Sequence, residues 1–79
     1  MERKLEIRQL YRHFKGKLYY VIDTGLDSET LEEVVIYQAM YGDKKIFVRP
    51  LKMFLSKVDT NKYPDVKQIY RFEEYEEEN

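Results

Sequence analysis

Residues 33–50 read EVVIYQAMYGDKKIFVRP. The first nine are rich in β-branched and aromatic side chains, which suit a pleated surface. Tyr41-Gly42-Asp43-Lys44 then offers a turn, with Gly42 able to take a positive φ. Lys45 to Arg49 is strand-like again, with Ile46 and Val48 on one side and Phe47 on the other. Pro50 has no ladder donor and closes the strand. The stretch therefore reads as a hairpin. A helix over 28–41, which would give an α+β sheet, competes through partial 3.6-residue spacing from Leu31 to Met40. The β-branched run Val34-Val35-Ile36 decides for strand.

Working outward, LYYVIDT at 18–24 is a second strong strand. Alternation puts Leu18, Tyr20 and Ile22 on one face and Tyr19, Val21 and Asp23 on the other. Leu10 to Lys15 is a shorter aromatic strand that enters a turn at Gly16-Lys17. GLDSETLE at 25–32 is a polar connection. Pro50 pre-sets the first turn of a helix, and Leu51, Phe54 and Leu55 are spaced to press on a core. After a loop at 59–64, Val66 to Phe72 returns to strand-like residues. Several short strands with one helical turn near 50–56 predict a mainly β fold, a small barrel of the SH3-like kind, over residues 10–72. Residues 1–9 read as a polar arm. Residues 73–79 read as an acidic tail, disordered and dispensable for folding. The expected core is Tyr20, Ile22, Val34, Ile36, Ile46, Val48, Phe54 and Leu55.

Seventy-nine residues make one small domain with a thin stability margin. There is no cysteine, hence no disulfide and no thiolate metal site, and the single His excludes a His-pair zinc motif. No metal or cofactor is expected. No apolar run approaches the roughly 20 residues that cross a bilayer, and the N-terminus lacks the apolar core of a signal peptide. A cysteine-free chain without either segment is expected in the cytoplasm. Catalytic equipment is also missing. Ser28 and Ser56 have no His beside them in sequence, the glycines at 16, 25 and 42 form no phosphate loop, and Asp23, Glu29 and Asp43 read as turn or strand-edge acids. The chain is not expected to be an enzyme.

Four blocks, YRHFKG at 11–16, SET at 28–30, VIYQAMYGD at 35–43 and VRPLKMF at 48–54, stand in an order and spacing that resemble the DUF1653 family. The resemblance covers roughly residues 10–72. It implies a small bacterial or phage protein of uncharacterised function with an SH3-like barrel, and it implies no activity. A His-Ser-Glu-Thr-Gly turn is usual in the family. Here Asp27 stands for the His and Leu31 for the Gly, and Gln38 replaces an arginine common after the second-strand tyrosine.

Net charge is −1, but the charges come in blocks. Residues 1–20 carry six Lys/Arg against two acids, and residues 44–57 carry five Lys/Arg and no acid. Residues 21–43 carry six acids and no Lys/Arg, and 58–79 seven acids against three Lys/Arg. Either the basic blocks meet and form a basic face, or basic and acidic strands pair and cancel. Tyr11, His13, Tyr37 and Arg49 are the candidate ligand-binding residues. Tyrosine combines an apolar body with a polar tip, His is a donor or a stacking ring, and Arg is a planar donor for phosphate or carboxylate. In this reading Tyr11 and His13 point outward and Phe14 points into the barrel. The expected function is a non-enzymatic binding module for nucleic acid or another anionic ligand, held in an aromatic and basic groove. The alternative is a protein-interaction adaptor that recognises a peptide, or a dimerising accessory domain.

Overall fold

A computed structural model describes residues 3–76. Five strands and one helical turn follow each other as β1 (Gln9–His13), β2 (Leu18–Leu26), β3 (Glu33–Ala39), β4 (Ile46–Pro50), α1 (Leu51–Phe54) and β5 (Phe72–Glu74). They form one antiparallel sheet in the order β4-β3-β2-β1-β5. The expected hairpin is β3–β4, with Val35 opposite Arg49 and Tyr37 opposite Phe47. The helical alternative over 28–41 is not adopted. Among the described residues no ladder joins β4 to β5, so the barrel is not closed by hydrogen bonds. Side chains fill that gap. The Phe54 ring of α1 stacks on Phe72 of β5 at 4.1 Å and 7°.

The core is Tyr11, Val21, Val35, Tyr37, Phe54 and Phe72, with Leu5, Tyr19, Leu51 and Leu55 packed against it. This corrects the expected core. Phe54 is fully buried and Leu55 packs beside it, but the strands present the opposite face from the one expected. Val21, Val35 and Tyr37 point in, Tyr20, Ile22, Val34 and Ile36 are half-buried, and Ile46 and Val48 are 60% and 63% exposed. Period-2 alternation sorts residues into two faces without choosing between them, and here both faces are apolar. The face carrying Tyr11, Tyr19 and Tyr37 is the one that α1 and β5 cover with Phe54 and Phe72, so it encloses the larger aromatic area. A bulge at Ile22, between Val21 and Asp23, also interrupts the alternation within β2.

Both ends of the described residues are engaged. Arg3 donates to the Leu55 carbonyl (2.9 Å) and the Phe72 carbonyl (2.7 Å), and its guanidinium lies 3.9 Å over the Tyr70 ring. The expected arm is thus docked from Arg3 onward. The last strand also begins later than expected. Residues 66–70 contribute a single bridge, Lys57 to Tyr70, while β5 extends into the acidic segment, with Glu73 opposite Arg12 and Glu74 opposite Tyr11. The Tyr75 N–H donates to the Leu10 carbonyl at 2.9 Å. The rest of the expected acidic tail, 77–79, lies outside the described residues.

The 27–31 connection keeps its turn despite the two replacements. Asp27 Oδ1 accepts the N–H groups of Glu29 (2.8 Å) and Thr30 (3.2 Å), and these bonds hold its carboxyl below the usual carboxylate range. Leu31 adopts φ 60°, the left-handed region that favours glycine.

Candidate functional site

The ends of β1 and β4 and the loop before β5 enclose a cleft of about 330 Å³. It is lined by His13, Phe14, Lys15, Arg49, Asp59, Lys62, Tyr63 and Arg71. The YRHFKG stretch supplies three of these. Its turn is held by Gly16 N–H to the His13 carbonyl (2.7 Å) and His13 N–H to the Lys17 carbonyl (2.9 Å), with Gly16 at φ 102°. The Phe14 N–H donates to the Arg71 carbonyl at 3.0 Å, which fixes the two cleft walls to each other.

Arg49 leaves the end of β4 toward the interior. Its Nε donates to the Tyr37 hydroxyl at 3.1 Å, and the guanidinium carbon stands 5.6 Å over the Phe72 ring. The opposite wall is a turn that Asp59 organises. Its Oδ1 accepts the N–H groups of Asn61 (3.0 Å) and Lys62 (3.3 Å). Tyr63 then packs on Phe14 with ring centroids 4.8 Å apart. The Lys15 and Lys62 ammonium groups stand 5.4 and 5.5 Å from the Tyr63 ring centre. Arg71 Nε donates to Ser56 Oγ at 3.3 Å.

His13 sits among these cations. Its Nδ1 accepts the Lys15 N–H at 3.1 Å, so the neutral ring carries its proton on Nε2. Burial lowers its pKa to about 4, aided by the charges of Arg49, Lys15 and Arg71. At neutral pH the ring is therefore uncharged. Four Lys/Arg side chains face a single acid, Asp59, which already accepts two backbone N–H groups. The arrangement suits an anion, with Phe14 and Tyr63 as flat apolar surfaces beside it. Among the described residues no three His, Asp or Glu side chains cluster as a metal site would require, and no helix is long and apolar enough to cross a membrane.

Of the four sequence candidates, His13 and Arg49 line the cleft. Tyr37 lies beneath it as the buried acceptor for Arg49, and Tyr11 is buried in the core with its hydroxyl accepting the Glu6 N–H at 3.0 Å. Burial raises the Tyr11 pKa. Phe14, expected inside, is half-buried on the cleft wall. Lys15, Lys62, Tyr63 and Arg71 were missed. Lys62 and Tyr63 sit in DTNKYP, which carries no periodicity and reads as a plain connection. The first and third charge blocks do meet here, through Lys15 and Arg49.

No curated protein and no solved structure gives a significant match. The family described as "Protein of unknown function (DUF1653)" matches residues 9–74, which span β1 through β5 and every residue of the cleft. The chain belongs to the DUF1653 family.

Proposed function

We propose that this protein is a non-enzymatic binding module whose cleft holds single-stranded nucleic acid. The observation that carries the reading is the joint placement of Lys15, Arg49, Lys62 and Arg71 around the exposed sides of Phe14 and Tyr63. Single-strand binders pair cations for the phosphates with rings on which bases stack. His13 adds a neutral Nε2–H donor. A duplex would need a broad basic surface or an element that enters a groove, whereas this site is a small cleft. The module would work in the cytoplasm, as the cysteine-free composition led us to expect. Peptide recognition is the competing outcome, and salt separates the two.

Fluorescence anisotropy of labelled oligothymidylate and oligouridylate at several salt concentrations tests the proposal. Log affinity should fall with log salt, at about 0.7 per phosphate contacted. The Lys15→Gln, Arg71→Gln double variant should bind at least tenfold more weakly. Salt-indifferent binding, or an unaffected double variant, would overturn the reading.

A further inference from the structure

A second cleft of about 260 Å³ lies at the β3–β4 turn, among Ala39, Tyr41, Lys44, Lys45 and Phe47, with Gly42 and Asp43 at the turn itself. An unbroken chain of rings connects it to the first. Centroid distances run 4.8 Å from Tyr63 to Phe14, 4.3 Å from Phe14 to His13 and 6.2 Å from His13 to Tyr19. From Tyr19 the chain continues 5.6 Å to Tyr41 and 6.4 Å to Phe47. The far rings differ from those of the core. Tyr11, Phe54 and Phe72 are almost wholly buried, whereas Tyr41 and Phe47 remain 39% and 42% exposed. Tyr41 is nevertheless held in place, because its hydroxyl and that of Tyr19 share a 2.6 Å hydrogen bond.

Cations follow the rings along their length. Lys62 and Lys15 flank Tyr63 at one end, and the Lys17 ammonium stands 5.2 Å from the Tyr41 ring centre. Lys44 and Lys45 border the second cleft against one acid, Asp43. The contacts at Tyr19 are edge to face, at interplanar angles of 64°, 84° and 72°, so the faces open to bases lie at the two ends, Phe14 with Tyr63 and Tyr41 with Phe47. We propose that the two clefts are the ends of one track, which a single nucleic-acid strand occupies along its length, with bases on the rings and phosphates at the lysines. This rests on the nucleic-acid reading of the first cleft and extends it to a site of several nucleotides.

The test measures binding of oligothymidylates and oligouridylates of two, four and eight nucleotides, using anisotropy for the longer probes and amide shift changes for the dinucleotides. Affinity should rise with length up to the eight-mer. Two variants, Lys44→Gln/Lys45→Gln and Tyr41→Ala, should each weaken the eight-mer about tenfold and leave the dinucleotide unchanged. The lysine variant should also flatten the eight-mer's salt slope by about 1.4, two phosphates' worth. Amide spectra of both variants check that the fold persists. Equal affinity at all lengths, with Lys15→Gln/Arg71→Gln still abolishing binding, overturns the track and leaves the cleft standing. Failure of every oligomer to bind at low salt overturns both.

Discussion

The Tyr37 hydroxyl, on a side chain only 4% exposed, accepts a 3.1 Å hydrogen bond from Nε of Arg49, whose guanidinium faces the cleft. Core and site thus meet in one contact. The bond fixes the tilt of the guanidinium and leaves its terminal nitrogens available for a phosphate or carboxylate.

Tyr37→Phe keeps the ring and deletes the acceptor. Stability should fall by about 1 kcal/mol, the net worth of one hydrogen bond, as read by urea denaturation. Oligonucleotide affinity should drop several-fold, because Arg49 then has to be ordered by the ligand. Unchanged affinity would show that the phenol plays no part in the site.

Phe54 touches the rings of Tyr11, Tyr37 and Phe72, and it is the fully buried side chain of α1. Phe54→Ala should cost about 3–5 kcal/mol, from lost burial and the cavity left behind. A domain this small has little more than that to lose. Thermal melting should show a collapse of the transition, and a shift of only a degree or two would contradict the packing described.

Leu31 is 69% exposed and sits at φ 60°. A non-glycine residue there is strained by roughly 1–2 kcal/mol, while glycine adds backbone entropy to the unfolded chain. The strain outweighs the entropy, so Leu31→Gly should stabilise by about 0.5–1 kcal/mol. The melting temperature should rise by a few degrees, and a fall would mean that the Leu31 side chain holds the turn by contacts.

His13 titrates near pH 4 in the folded protein, against 6.5 when exposed. Between these values the unfolded chain binds a proton that the folded one refuses. This part of the stability is fully present above about pH 6.5 and is lost as pH falls toward 4. Urea midpoints at pH 4.5 and 7 should therefore differ more in the wild type than in His13→Gln, a comparison that removes the carboxylate contribution common to both. A bound phosphate offsets the repulsion from Arg49, Lys15 and Arg71, so the imidazole pKa should rise on binding. Imidazole proton shifts followed through the titration check this, and a pKa unmoved by saturating oligonucleotide would place the anion elsewhere.

Local chemistry told more than pattern did. The hairpin at 33–50, the strand at 18–24 and the helical turn after Pro50 were all legible, because β-branched runs, Gly42 and Pro50 act over a few residues. The direction each strand faces was not. Tyr20 and Ile22 are as apolar as Tyr19 and Val21, and only the arrival of Phe54 and Phe72 decides which pair is covered. The last strand was misplaced for a similar reason. Val66 to Tyr70 has strand-like composition, but β1 pairs with Phe72–Glu74, whose charges reach solvent at an edge. Within the site, His13 and Arg49 stood out by residue type. Lys62, Tyr63 and Arg71 did not, because a loop of mixed polarity becomes one wall only through the fold that carries it back to β1.

That return of the chain bears on how the protein is made. β1 lies between β2, its neighbour in sequence, and β5, the last element of the domain. During synthesis the meander from β1 to β4 is complete while one side of β1 still lacks its partner and Phe54 still lacks the ring it stacks on. The β1–β5 pairing closes the longest loop between paired strands, and closing a loop of that length costs more entropy and slows folding. Until Phe72 clears the ribosome, a nascent chain exposes an aromatic half-core beside an open strand edge, the surface that chaperones recognise.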